Sequence, residues 1–245
     1  MELLGIDIGG SGIKGATVDL DAGRLTRDRH KIVTPQPATP EAVAEVVVEL
    51  VEHFAWEGPI GCTVPSVVRQ GIVHSAANVD KSWIGVDGVE LLGRATGQKV
   101  VLLNDADAAG IAEMKFGAGR DRHGVVFMLT FGTGIGSGVF VDGHLVPNTE
   151  LGHLEFKGME AEHYAAARVR EAEKLTYKNW GMRVNGFLRH HEKVFSPDLF
   201  IIGGGVSRKL DRFKPYLLLD TEVVPARLRN EAGIIGAALV ARDRL

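Results

Sequence analysis

Three kinds of residue in this chain can do chemistry. The apolar run at residues 100–103 ends in Asn104, Asp105 and Asp107. A carboxylate at the carboxyl end of a buried strand is placed to take a proton from a hydroxyl nucleophile. Asn and Asp are also strong helix caps, so Asn104 and Asp105 can equally start the next helix. Asp107 then falls in a first turn, where an acid complements the helix dipole. The segment ELGHLE packs Glu150, His153 and Glu155 together. Glu150 and His153 at i, i+3 are metal-ligand types, but the spacing is not HExxH and no third ligand is evident. An acid–imidazole pair also suits sugar hydroxyls, which want donors and acceptors together, and a structural histidine remains an alternative.

The third kind is glycine at strand ends: Gly9-Gly10-Ser11-Gly12, Gly132-Thr133-Gly134-Ile135-Gly136 and Gly203-Gly204-Gly205. Without Cβ, a backbone can bring its N–H groups onto an anion. None of these is a GxGxxG or Walker A loop, and each alone is equally a hairpin turn. Three together point to phosphate handling. Asp7 precedes the first turn, as a turn former or as an acid that places Mg²⁺ through water. Lys14 follows it, facing phosphate or solvent.

The elements that must position these residues follow from pattern. Apolar strands are expected at 3–9, 12–20, 30–34, 60–68 and 99–105, and again at 198–203. Thr39 and Pro40 open a helix with Val43, Val46, Val47, Leu50, Val51 and Phe54 on one face. Further helices are expected over 89–96, 106–117, about 160–194, from about Arg208, and over 230–242. The opening strand–turn–strand recurs: a shift of 123 residues (129 − 6) sets IDIGGSGIKGATVD over LTFGTGIGSGVFVD. Gly9 then falls on Gly132, Gly15 on Gly138, Val18 on Val141 and Asp19 on Asp142. The repeat predicts two related halves, with Asp7 and Lys14 of the first replaced by Thr130 and Ser137 in the second.

Composition narrows the classes. A chain of 245 residues with 45% hydrophobic content can bury a sizeable core. No apolar run reaches the length of a membrane span, so no membrane association is expected. The start, MELLGIDIGG, reads as a strand rather than a signal peptide. Cys62 is the only cysteine, so no internal disulfide is possible and a reducing cytoplasm is the expected compartment. A net charge of −3 argues against a nucleic-acid partner. An anionic substrate would need local basic residues. Candidates are Arg120, Arg122 and His123, or Arg208, Lys209, Arg212 and Lys214, each also readable as a solvated face.

In order along the chain, DIGGSGIKG, LNDADAAG, LTFGTGIGSG, ELGHLEF and LFIIGGGVS resemble the ROK sugar kinases of the actin–hexokinase ATPase-like superfamily. DIGGSGIKG, VPSVV and VPARLRNEAGIIGAAL resemble, within that family, the polyphosphate glucokinases. The resemblance covers nearly the whole chain. It implies an α/β fold of two ribonuclease H-like lobes around a central cleft, divided as 1–104 and 105–229, with the helix 230–245 packing back on the first. It implies that Asp105 is the general base toward the glucose 6-hydroxyl. Ser66, Asn104, Glu150, His153 and Glu162 would hold the sugar. Asp7, Gly9, Gly10, Ser11, Gly12, Lys14, Gly132, Thr133, Gly134, Gly204 and Gly205 would line the phosphate path, with Mg²⁺ held by Asp7 through water. Many ROK kinases carry a multi-cysteine zinc motif after ELGH. Here the segment is LEFKGMEAEHYAAARVRE, so zinc is not expected, and the helix carrying Glu162 must be held by packing.

The reaction so implied is phosphoryl transfer to glucose, giving glucose 6-phosphate, from polyphosphate or from a nucleoside triphosphate such as ATP. A strictly ATP-dependent glucokinase, or a related hexose kinase, is the alternative. Sugar-responsive repressors of the family carry a helix-turn-helix, for which a first strand at residue 3 leaves no room. A non-catalytic sugar sensor is a further alternative, opposed by the intact Asp105. A homodimer is expected by analogy.

Overall fold

The structure, a computed structural model, describes residues 1–244. The chain forms two compact units: residues 1–112 with the C-terminal segment from Glu231, and residues 113–230.

In the first unit, β1 (Glu2–Gly9) and β2 (Gly12–Asp19) form an antiparallel hairpin that sets Asp7 opposite Lys14. Both β3 (Arg24–Leu25) and β4 (His30–Ile32) pair with β2. Helix α1 (Pro40–His53) begins as its residue types dictate: Pro40 takes the first helical position and the Thr39 hydroxyl accepts from Ala42 N–H at 3.3 Å. Its buried face includes Val43, Val47 and Leu50. The chain returns as β5 (Ile60–Val64), parallel to β1. The strand expected to continue to Val68 stops at Val64, because Pro65 has no N–H for the ladder. A short ribbon, β6 (Val68–Arg69) and β7 (Ile72–Val73), and helix α2 (Gly88–Thr96) lead to β8 (Val100–Asn104), parallel to β5. The sheet order is β3-β2-β1-β5-β8. Helix α3 (Asp105–Phe116) follows β8 without a break.

In the second unit, β9 (Val125–Phe131) and β10 (Ile135–Val141) form a hairpin, with β11 (His144–Val146) on its outer side. A small hairpin of β12 (Glu155–Phe156) and β13 (Met159–Glu160) precedes α4 (Ala161–Ala165), α5 (Ala167–Ala172) and α6 (Tyr177–Phe195). Then β14 (Leu199–Gly203) and β15 (Glu222–Pro225) complete a sheet of order β11-β10-β9-β14-β15. This order repeats that of the first sheet, an antiparallel hairpin followed by parallel strands, so the sequence repeat is a repeat of topology. The single helix expected over 160–194 is three. Extended backbone at Ala166 ends α4, and Thr176 caps α6 by accepting from Asn179 N–H at 3.2 Å. The helix expected from Arg208 is a 3₁₀ segment, Gly205–Arg212, kinked at Lys209.

The repeat carries one difference that an ungapped alignment hides. Residue Thr130 faces Gly136, whereas its counterpart Asp7 faces Lys14. The return strand is thus shifted by one residue. A one-residue shift turns a side chain to the opposite face. Ser137 does not take the place of Lys14; it is buried and bonded to Thr149 and Leu151 at the start of the ELGH segment.

Helix α7 (Ala232–Arg244) closes the first unit. Its small residues are a packing requirement. A Cβ at Gly5 of β1 would lie 2.1 Å from Ile234 O, one at Gly61 of β5 1.9 Å from Ala237 O, and one at Gly236 1.8 Å from Ala108 O. The helix therefore rests directly on backbone. Ala108 and Ile111 of α3 pack with Ala237, Val240, Val101 and Leu103. This packing draws the first turns of α3 into the first unit, whose main segment runs to Ala112. Among the described residues, no helix is long and apolar enough to cross a membrane.

Candidate functional site

In the first unit, Asn104 ends β8 and caps α3. Its Oδ1 accepts from Ala106 N–H at 2.8 Å and from Asp107 N–H at 3.0 Å, while Nδ2 donates to Ser66 O at 3.2 Å. Most of its hydrogen-bonding capacity is thus structural, leaving one amide hydrogen for a ligand. Asp105 is the first residue of α3 and half-buried; its Oδ1 accepts from Ala106 N–H at 2.8 Å. Ser66 is buried, and its hydroxyl has no hydrogen-bond partner among the described residues. A buried hydroxyl without a partner, beside the Asn104 amide, calls for a polar ligand or water.

Asp7 sits on β1 with both oxygens engaged. Oδ2 accepts from Lys14 Nζ at 3.1 Å and Oδ1 from Thr63 Oγ1 at 3.0 Å. A Cβ at Gly233 would lie 3.1 Å from Asp7 Cγ, so the carboxylate faces the first turn of α7. A carboxylate has about four acceptor positions, and two remain here. With the Lys14 ammonium alongside, this set fits a hydrated Mg²⁺ held through water better than direct ligation.

The glycines divide by what a side chain would meet. Gly132 and Gly205 face open space. At Gly10 a Cβ would lie 2.7 Å from Asn78 O, and Gly12 faces the Lys31 side chain. Gly9 is closed by its own hairpin, with Gly12 O at 3.0 Å. Gly204 has φ 77° and a Cβ there would lie 2.5 Å from Phe131 O. Ser11 and Thr133 are exposed at the tips of the two turns. At Gly134 a Cβ would lie 2.2 Å from Glu162 Oε2.

The second unit gathers Glu150, His153 and Glu162, with Glu160 added. The ELGH segment forms a 3₁₀ turn, Leu151–His153, seated on β10, where Gly152 approaches Ile135 O so closely that a Cβ would lie 2.2 Å from it. The Ser137 hydroxyl ties it down, donating to Thr149 O and accepting from Leu151 N–H at 3.0 Å. His153 Nε2 lies 3.7 Å from Glu150 Oε2, and Nδ1 lies 3.1 Å from Glu160 Oε2. Glu162 Oε2 accepts from Ile135 N–H at 3.2 Å, and Oε1 lies 3.7 Å from Arg168. The helix carrying Glu162 packs through Tyr164 on Phe156 and through Ala165 on Trp180. The Phe156 ring stands edge-on to Tyr164 (5.6 Å), His190 (5.7 Å) and Phe187 (6.4 Å). Trp180 donates to Ala165 O at 2.9 Å.

Burial pushes the Glu150 carboxyl above its ordinary range; His153 opposes this and Glu162 adds to it. For His153, burial works against the charged ring. The hydrogen bond with Glu160 and the charges of Glu162 and Glu150 outweigh burial, and its pKa is raised. The same bond holds Glu160 below its ordinary value.

The two basic segments differ. Arg122 is paired with Glu222 at 2.8 Å and Arg120 lies 3.6 Å from Asp121. In the 3₁₀ segment after the third glycine turn, Arg212 stands 5.4 Å from the Tyr177 ring centre, and Arg170 of α5 stands 4.5 Å from the same ring. Tyr177 thus joins two basic stretches. Reading the sequence did not single out Glu160, Thr63 or Arg170. The nearest signal for Glu160 is the Lys157-Gly158 pair, whose positive φ values of 57° and 80° form the two-residue turn that folds β13 back.

A model of the ROK family matches residues 3–167. The chain is 56% identical over 236 residues, 96% of its length and 89% of the relative's, to a polyphosphate glucokinase of Mycobacterium tuberculosis (strain CDC 1551 / Oshkosh). Its fold matches the crystal structure of an inorganic polyphosphate/ATP-glucomannokinase from Arthrobacter sp. strain KM with a TM-score of 0.96, at 49% identity over 100% of this chain and 99% of that one. It matches a ROK family glucokinase from Streptomyces griseus, in complex with glucose and AMPPNP, with a TM-score of 0.85 at 25% identity over 99% and 100%. With the family model matching residues 3–167 and a relative 56% identical over 96% of the chain, the chain belongs to the ROK family.

Proposed function

We propose that the chain transfers the terminal phosphoryl group of inorganic polyphosphate to the 6-hydroxyl of glucose, giving glucose 6-phosphate and a polyphosphate one unit shorter. Support comes from Asp105, a carboxylate at the carboxyl end of β8, together with 56% identity to a polyphosphate glucokinase. ATP is a second donor in this reading, since the Arthrobacter relative at 49% identity is a polyphosphate/ATP enzyme.

The glucose 6-hydroxyl attacks the terminal phosphorus, the bond to the chain's bridging oxygen breaks, and Asp105 takes the hydroxyl proton. Phosphoryl transfer asks mainly for positioning and charge neutralisation. Glu150, His153 and Glu162 hold sugar hydroxyls, with Ser66 and the remaining Asn104 amide hydrogen as further polar contacts. Gly132 and Gly205 leave room for close approach of phosphate, and Lys14 contributes positive charge beside Asp7. Mg²⁺, held by Asp7 through water, supplies further charge neutralisation on the phosphoryl oxygens when bound. The cation-rich stretch of Arg170, Lys209 and Arg212 takes the rest of the polyanion. A homodimer belongs to the same proposal and is read by light scattering.

The test is a donor panel of ATP, GTP, short and long polyphosphate against glucose with Mg²⁺, run on the wild type and on Asp105→Asn. The expected result is glucose 6-phosphate from polyphosphate, with turnover lowered by about 10²–10⁴-fold in the variant, the scale of losing a general base. Near-normal turnover in a folded variant would remove Asp105 from this role. Production from ATP and GTP alone would leave a strictly nucleotide-dependent glucokinase.

A further inference from the structure

The imidazole of His153 is the most heavily partnered group in the second unit's cluster. Glu150 approaches Nε2 at 3.7 Å, and Glu160 engages Nδ1 at 3.1 Å. Glu162 contributes negative charge from α4, itself flanked by His163 at 3.9 Å and Arg168 at 3.7 Å. Of the three acids, Glu160 alone is within hydrogen-bond distance of the ring. One ligand-type atom from each of His153, Glu160 and Glu162 lies within 4.8 Å of the other two. The Nδ1 contact makes this an internally bonded acid–imidazole cluster.

A carboxylate on one ring nitrogen settles what the other presents. With Glu160 accepting from Nδ1–H, rotation of the ring about its own bond would break that contact, so Nε2 stays directed toward Glu150. Glu160 can reach Nδ1 because of the hairpin. Glu155 pairs with Glu160 and Phe156 with Met159, so residue 160 is folded back beside residue 153. The hairpin is anchored by Phe156 on α6, and Lys157 donates to the Tyr164 hydroxyl at 3.1 Å.

We infer that Glu160 is a positioning residue for the acceptor site: its carboxylate holds the His153 ring so that Nε2 and Glu150 together receive the hydroxyls of the sugar. Glu160 does this without touching the sugar. The inference rests on the sugar-binding reading of Glu150 and His153, which Glu150→Ala tests separately.

The experiment measures glucose KM, polyphosphate KM, kcat and melting temperature for Glu160→Ala, Glu160→Gln and Glu150→Ala. Glu160 is half-exposed, with 47% of its side chain accessible, so the variants are expected to fold. Glu160→Ala should raise glucose KM on the order of tenfold, the scale of one hydrogen bond to a charged group, and leave polyphosphate KM unchanged. Glu160→Gln keeps an acceptor for Nδ1–H and should restore most of the glucose affinity. Unchanged glucose KM in Glu160→Ala, with a raised value in Glu150→Ala, overturns the role of Glu160 alone. Unchanged values in both overturn the sugar site itself. A parallel loss of both KM values and melting temperature that Gln does not repair would show a structural role, and would also overturn it.

Discussion

The carboxylate of Glu162 occupies the space that a side chain on residue 134 would need: a Cβ built on Gly134 would lie 2.2 Å from Glu162 Oε2. Glu162 is held there by Ile135 N–H at 3.2 Å. Residue 134 thus has its side-chain space filled by an acid. Gly134→Ala should push Glu162 off this bond and raise glucose KM by about tenfold, the worth of one hydrogen bond to a charged group. Polyphosphate KM should stay near the wild-type value. Steady-state kinetics in both substrates decide it; a rise confined to the donor would return Gly134 to the phosphates.

On the proposed sugar-binding role of Glu150, its raised pKa predicts an acid limb for glucose binding. Burial disfavours the carboxylate, so Glu150 takes up its proton at higher pH than an ordinary glutamate. The ionised form is the acceptor for sugar hydroxyls, so glucose KM should rise as pH falls through that raised value. Glu150→Gln should remove the limb. A glucose KM flat from neutral pH down into the ordinary carboxylate range would oppose this.

Donor binding should report the basic stretch around Tyr177. Arg170 and Arg212 flank one ring, with Arg170 also 3.6 Å from Glu171, while Arg122 is held by Glu222 at 2.8 Å. Long polyphosphate should therefore lose affinity with salt more steeply than ATP does. Replacing both Lys209 and Arg212 by Ala should lower the slope by roughly 1 for each phosphate contact removed. Arg122→Ala should leave the slope unchanged. Equal slopes for the two donors would dismiss the stretch as a binding track.

His191 makes stability pH-dependent. It is fully buried among Phe127, Phe187 and Phe195; Nδ1 lies 2.8 Å from Phe187 O and Nε2 has no partner among the described residues. Burial lowers its pKa in the folded chain. Below about 6.5, the unfolded chain binds the proton that the folded chain refuses, so stability is present above that pH and is lost as pH falls toward the folded value. Denaturant melts at several pH values should show this slope, and His191→Phe should flatten it. An unchanged slope in the variant would place the acid sensitivity elsewhere.

Much of the fold is legible in order of residues, because periodicity and capping are local. The α1 stripe, the Thr39 cap and the strand ends before each glycine turn follow from side-chain types a few residues apart. The repeat is legible for the same reason, since both hairpins use one pattern. Pattern fails where a distant backbone sets the outcome. The break of 160–194 into three helices follows from the packing of α4 and α6 around Trp180. The placement of the first turns of α3 in the first unit follows from α7, more than a hundred residues later in the chain.

By itself the sequence determined the residue types of the site: an acid closing β8, an acid–histidine pair after β10, and glycine where strands turn. These follow from short-range chemistry and appear in any reading of the chain. Only the tertiary structure decided what each of them faces. A one-residue register shift turned Ser137 from a counterpart of Lys14 into a buried tie. A two-residue turn brought Glu160 onto His153, and the close seat of Glu162 explained Gly134. Register, turn geometry and van der Waals exclusion act between residues far apart in order, and for that reason they cannot be read one residue at a time.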